Sequence, residues 1–300
     1  MRFLTLLLSF FLVSACQQAE TPAEPTEPEA PAEAAEAEVD TLAALLAAQP
    51  EEVQARYPFR NPQQTIEFFG IEPGMTVLEG LPGRGWYTKV LLQYLGSEGE
   101  LLVANYELDM YPLFSFASEE FLAMQAEWQA NWQASSADWG GDNGASTAAF
   151  HFGSMPEEMA GTADAVFFPR VLHNLARFQN GGEGPYLDTA LADVYAVLKP
   201  GGVFGVVQHE ARDDRPDEWA DGSRGYLKKQ FVIDQVTAAG FEFVGESDIN
   251  QNPADQPSDE DFVWRLPPSL SGTQEGDAIR EEYKAIGESN RMTLKFRKPE

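Results

Sequence analysis

The chain has 300 residues, 48 Asp and Glu against 20 Lys and Arg, a formal net charge of -28, and one cysteine. That balance excludes nucleic acid as a partner, because phosphate recognition needs clustered Lys and Arg. A single cysteine excludes both a disulfide framework and a cysteine metal site.

Met1-Arg2 followed by an apolar run from Phe3 to Val13 has the form of an export signal, too short to span a bilayer comfortably. The run ends in Val13-Ser14-Ala15-Cys16, which resembles a bacterial lipobox. The expectation is a lipoprotein signal peptide over 1–15, a lipid anchor on Cys16, and a place in the cell envelope facing the periplasm or exterior. From Gln17 to Asp40 the chain carries carboxylates, prolines and alanines with no basic residue, so 16–40 reads as a lipidated cysteine and a disordered acidic tether. Residues 41–300 are long enough for one domain with a core of its own.

Within that domain, Met75 to Glu79 is a short apolar run between Glu72-Pro73-Gly74 and a glycine loop, and is predicted as a buried strand. Trp86 to Leu95 has helical spacing and ends at Gly96; Glu100 to Ala104 is the second strand. A unit of this length implies parallel pairing through a right-handed crossover. Ala149 to Phe152 and Ala163 to Phe168 are the third and fourth strands. Leu187 to Leu198 is a helix stopped by Lys199-Pro200-Gly201-Gly202, before a fifth strand from Val203 to Val207. A helix from Phe231 to Ala239, a strand from Phe241 to Glu246 and a seventh strand from Met292 to Phe296 complete the alternation. The predicted fold is α/β, a doubly wound and mostly parallel seven-stranded sheet with two insertions, Leu108 to Thr147 and Ile249 to Asn290. Ligands on such sheets bind beyond the strand carboxyl ends at the switch point.

The loop after the first strand reads Glu79-Gly80-Leu81-Pro82-Gly83-Arg84-Gly85-Trp86. It resembles the first motif of class I methyltransferases, an acidic strand end followed by a glycine turn into a helix. Its glycines do not follow the dinucleotide order G-x-G-x-x-G. Three further features stand in the right order: Gly96-Ser-Glu-Gly, Asp164 through His173-Asn174, and Leu198-Lys-Pro-Gly-Gly. More narrowly, the stretch from Thr65 to Glu79, Leu266-Pro-Pro, and Ala285-Ile-Gly-Glu-Ser-Asn-Arg-Met-Thr-Leu-Lys-Phe are similar to a family of predicted bacterial methyltransferases, several of them exported.

The resemblance implies S-adenosylmethionine as cofactor and methyl transfer to a small-molecule acceptor. It implies that Glu79, Gly80, Pro82, Gly83 and Gly85 lie along the methionine moiety. Asn105 stands where that pattern usually has a ribose-binding carboxylate, with Glu107 nearby as a substitute acceptor, and Ser154 follows the third strand near the adenine position. Leu81 takes the place of the first glycine.

His151, His173 and His209 all fall at predicted strand carboxyl ends. His173 and His209 are predicted neighbours able to accept a proton from an acceptor nucleophile, and Arg170 on the same edge is placed to orient an anionic substrate. No recognised metal spacing is present, and in-line methyl displacement needs no metal. A second reading from the same residues is a methyltransferase fold that has lost its cofactor and serves as an envelope ligand-binding or scaffold lipoprotein. Asn105, Leu81, Ser154 and the lipobox favour it.

Overall fold

In the computed structural model, which describes residues 41–300, the chain opens with four short helices: α1 (Thr41–Ala47), α2 (Glu51–Gln54), α3 (Tyr57–Arg60) and α4 (Pro62–Phe69). The expected signal peptide, Cys16 and the tether lie outside the described residues. Strand β1 (Thr76–Gly80) leads through the glycine loop into α5 (Thr88–Leu95), and β2 (Glu100–Asn105) follows. The first insertion carries α6 (Glu119–Ala126) and α7 (Trp128–Ser136). Then come β3 (Ser146–His151), β4 (Ala163–Pro169), α8 (Leu172–Asn180), α9 (Tyr186–Val197) and β5 (Leu198–Ala211). The chain closes with β6 (Leu227–Lys228), α10 (Lys229–Ala238), β7 (Glu242–Ser247), α11 (Ala278–Ile286) and β8 (Arg291–Arg297).

The sheet runs β3-β2-β1-β4-β5-β8-β7, with β6 beside β5. All pairings are parallel except those of β8, which runs antiparallel between β5 and β7. This is the expected doubly wound sheet, with eight strands rather than seven. The added strand is the two-residue β6, which pairs Glu210 with Leu227 and Ala211 with Lys228 and is too short to show an apolar period. It also explains why β5 runs to Ala211, beyond the predicted end at Val207.

Alternation along each strand sends neighbouring side chains to opposite faces. Leu78, Leu102, Phe150, Phe168, Phe204 and Leu294 belong to one core with α8, α9 and α10, whereas Val77, Leu101, Val103, Ala149 and Phe167 belong to the other with α1, α4 and α5. Helix α5 has only eight residues, too few to persist alone. Val90, Leu91, Leu92 and Leu95 are all buried, and at about 1.5–3 kcal/mol for each large apolar side chain that burial holds it in place. Helix α4 crosses β5 at Gly205, where an added Cβ would stand 2.6 Å from the Phe69 ring. Among the described residues no helix is long and apolar enough to cross a membrane.

Strand order reverses between β1 and β4, which pair Glu79 with Phe167. Their carboxyl ends therefore open the crevice expected to bind a ligand.

Candidate active site

The glycine loop leaves β1 with the Leu81 amide donating to the Ala104 carbonyl at 2.8 Å, and closes a turn from Gly85 N to Pro82 O at 2.9 Å. Leu81, Gly83 and Gly85 have φ of 50°, 57° and 74°. Glycine adopts that region without penalty, but a leucine there costs roughly 1–2 kcal/mol. Arg170, one residue beyond β4, also lies in it, at φ 71°. Its amide is fixed by the Val207 carbonyl at 2.6 Å. Two bulky residues in strained conformations thus flank the switch point from both sides, the kind of clustering that marks working sites.

Arg170 projects into a cavity of about 220 Å³, which Arg60, His209, Trp264, Glu288 and Ser289 also line. His173 and His209 come together as the sequence indicated, their ring centroids 5.6 Å apart. His209 Nδ1 lies 2.6 Å from Ser289 Oγ, and His173 Nε2 lies 3.2 Å from Asn174 Nδ2, which donates to the Tyr106 hydroxyl at 3.0 Å. Burial holds the His173 ring down to about 4, against an opposing hydrogen bond from Gln208. Burial, then the adjacent His173 and Arg170, hold His209 well below its ordinary value. Both rings are therefore neutral at pH 7, and the same burial makes each of them a weak base.

Glu79 is 1% exposed and accepts from the Thr88 hydroxyl at 2.6 Å. Burial pushes its carboxyl up to about 7, partly countered by that bond and by Arg170. Gly80 packs against Phe168 and Val171, and Gly85 lies under the Trp139 ring, 2.6 Å from where its Cβ would stand. Pro82 is buried in the turn. Gly83 is exposed, with only the Leu81 carbonyl near its missing Cβ, at 3.9 Å.

Beyond β2, Asn105 Oδ1 accepts from the Tyr106 amide at 2.9 Å. Glu107 lies against Gly153, and its Oε1 is buried without a hydrogen-bond donor. The Gly153 amide donates to Asp193 Oδ2 at 2.7 Å, and exposed Ser154 donates its hydroxyl to the His151 carbonyl at 2.8 Å. His151 bonds to the Tyr106 carbonyl at 2.7 Å and packs on Trp128, apart from the histidine pair.

The fit to S-adenosylmethionine turns on two of these points. Gly83 leaves an open backbone approach at the loop, as a closely bound methionine moiety requires. Glu107 supplies a carboxylate beyond β2, as a ribose diol requires, but its Oε1 is buried and Thr189 hydrogen-bonds the group, while Asn105 is turned to its own backbone. Of the loop positions Gly83 is the open one, whereas Gly80 and Gly85 are already covered by Phe168, Val171 and Trp139 and Pro82 is buried in the turn. Glu79 shapes the loop from beneath through Thr88.

Sequence reasoning did not single out Arg60, Tyr106, Trp264, Glu288 or Ser289. Arg60 comes from α3, before any motif. Glu288 and Ser289 lie in the terminal stretch Gly-Glu-Ser-Asn-Arg-Met, whose resemblance was visible but whose roles were not. Among the described residues no group of three or more His, Cys, Asp or Glu is arranged to hold a metal ion.

No protein-family model matches the chain, and no curated protein matches it. Solved structures do. The [4+2]-cyclase SpnF is 18% identical with a TM-score of 0.48, covering 80% of each chain. A SAM-dependent methyltransferase from Aquifex aeolicus is 17% identical with a TM-score of 0.45, covering 67% of this chain and 93% of its own. Geranyl diphosphate methyltransferase in complex with SAM is 14% identical with a TM-score of 0.45, covering 85% and 94%. The fold assignment rests on the chain's own strand order. Setting aside the short β6, a parallel sheet closed by one antiparallel strand inserted beside β5 is the class I methyltransferase arrangement.

Proposed function

We propose that this protein is an S-adenosylmethionine-dependent methyltransferase acting on a small molecule. The observation that carries the reading is one edge of the sheet where Arg60, which lines the cavity of Arg170 and His209, lies over Trp86 at the end of the glycine loop. Fold alone does not fix function; this juxtaposition of a nucleoside-type loop with a polar cavity supports it. The cofactor would supply an electrophilic methyl group on a sulfonium. The chain's share is alignment: the loop holds one partner, and Arg170 with the neutral histidine pair holds the other. A neutral His209, bonded to Ser289, can hydrogen-bond an acceptor hydroxyl or amine and orient it towards the methyl, whose displaced proton leaves to solvent.

A second reading, a ligand-binding protein that has lost the cofactor, is favoured by one observation. Several polar groups that would face the cofactor already have partners within the chain: Glu79 has Thr88, Asn105 has Tyr106, and the Gly153 amide has Asp193. Thermal melting separates the two. The wild type should melt higher with S-adenosylmethionine, by the mass-action stabilisation of about 2.7 kcal/mol at a hundredfold excess over Kd, and Asn105→Asp should bind more tightly through a charge-assisted bond. A response in Asn105→Asp alone would favour the second reading.

We propose likewise that the protein is a lipoprotein of the cell envelope, anchored at Cys16 and held off the membrane by its acidic tether. Support for this lies in the sequence of residues 1–40.

A further inference from the structure

The cavity lined by Arg60 and Arg170 has guanidinium groups in excess of carboxylates in a chain of net charge -28. Four guanidinium groups, from Arg56, Arg60, Arg170 and Arg291, surround the single carboxylate of Glu288. Arg56 reaches it at 2.5 Å, Arg60 at 3.2 Å and Arg291 at 3.3 Å. Two of these are tied down further: Arg60 lies over the Trp86 ring at 4.4 Å, and Arg291 donates to the Phe59 carbonyl at 2.7 Å. Arg170 differs. Its Nη1 is buried and has no hydrogen-bond partner among the described residues, while its side chain lines the cavity. Buried charge of one sign is costly unless an opposite charge joins it. The burden shows in Arg60, which burial and then Arg170 press down to about 8.

An anion is the ligand that removes this cost. A single carboxylate matches the site, because one guanidinium retains a free edge and carboxylate-guanidinium bonding is the strong planar case. The space is small, about 220 Å³, below the roughly 300–1,000 Å³ of cavities that enclose whole drug-sized ligands. It takes a head group. Trp264 forms a wall of this cavity and also of a second one, a trough of about 500 Å³ lined by Tyr111, Phe114, Phe116 and Phe121. The segment from Val263 to Ser271 borders both, with Ser269 on the first and Ser271 on the second. The trough reaches solvent at Phe116, which is 66% exposed. An unpaired aromatic opening of this kind is a place for apolar surface to be buried.

We propose that the arginine cavity receives the carboxylate of a small organic acid whose apolar body lies along Trp264 into the aromatic trough. Combined with the methyl-transfer reading, on which this last step rests, the methyl acceptor would be an amphipathic acid whose hydroxyl or amine forms the new bond to the methyl as the sulfonium carbon–sulfur bond breaks, the thioether leaving and the acceptor's proton passing to solvent.

Calorimetry on the full-length chain without cofactor tests the binding directly, with phenylpropanoate, phenylpropanol and inorganic phosphate as probes. The acid should bind at least tenfold more tightly than the alcohol, which lacks the charge, and than phosphate, which lacks the apolar body. Arg170→Gln should erase the preference for acid over alcohol while still melting cooperatively. Equal affinity for acid and alcohol in the wild type overturns the proposal, as does phosphate binding as tightly as the acid. If Arg170→Gln does not fold, the wild-type ranking decides alone. Failure of S-adenosylmethionine to bind would remove the methyl-transfer reading and leave this ranking intact, so the two fail separately.

Discussion

Two buried side chains at the site titrate in opposite directions, and their effects on stability oppose each other over overlapping pH ranges. Burial raises Glu79 from 4.5 to about 7. Above 4.5 the unfolded chain releases this proton while the folded one keeps it, so Glu79 makes stability fall as pH rises towards 7. His173 is lowered from 6.5 to about 4. Below 6.5 the unfolded chain takes up a proton that the folded one refuses, so His173 makes stability fall as pH drops towards 4. Glu79→Gln keeps an acceptor for Thr88 but cannot ionise. Urea unfolding at pH 5 and pH 8 should show it gaining on the wild type as pH rises, by up to about 3 kcal/mol at one unit per 1.36 kcal/mol. His173→Asn should gain instead at the acid end. Curves parallel to the wild type would remove Glu79 and His173 as titrating groups. Residues of this kind were legible in the sequence because each ends a strand or immediately follows one. Arg60 and Glu288 were not, because their pairing joins positions 228 apart and neither sits in a periodic pattern.

At the level of elements, the cavity depends on how the segment between β7 and β8 is fastened. Arg265 pairs with Asp255 at 2.8 Å, and Asp255 also accepts from the Tyr226 hydroxyl at 2.9 Å and the Asn290 amide at 2.9 Å. Asp255 and Arg265 are both almost wholly buried. This one carboxylate links the wall that carries Trp264 and Leu266-Pro-Pro to the start of β8. Asp255→Ala leaves Arg265 with only Asp261, at 3.3 Å, as a counter-charge, and breaking a buried pair costs about 3–5 kcal/mol. Unfolding in urea should register that loss; a change below about 1 kcal/mol would mean that the link is not structural. The central strands were readable because full burial makes them continuous apolar runs, and α9 because its apolar period is regular. The short helices α1 to α4 were not, since none is long enough to establish a period.

Across the whole molecule the formal charge is strongly acidic, yet Arg60 and Arg170 both line one cavity. Such a balance disfavours polyanions at the surface, while the cavity still presents guanidinium groups to a small anion. The proposed anchor belongs to this scale too. If Cys16 carries lipid, intact mass of the membrane fraction should show a diacylated cysteine at the mature N-terminus, and Cys16→Ser should leave the chain unprocessed or soluble. An unmodified Cys16 in a soluble, cleaved product would contradict the anchor.

Everything proposed for catalysis depends on the glycine loop accepting a nucleoside thioether. Calorimetric titration of the full-length chain with S-adenosylmethionine, set beside Gly83→Val, tests this most directly. Gly83 is open above its missing Cβ and holds φ 57°, so a β-branched side chain there both strains the backbone and blocks the approach. The account predicts saturable binding at one site in the wild type, lost in a variant that still melts cooperatively. Absence of binding to the wild type at millimolar cofactor, or undiminished binding to Gly83→Val, would contradict it.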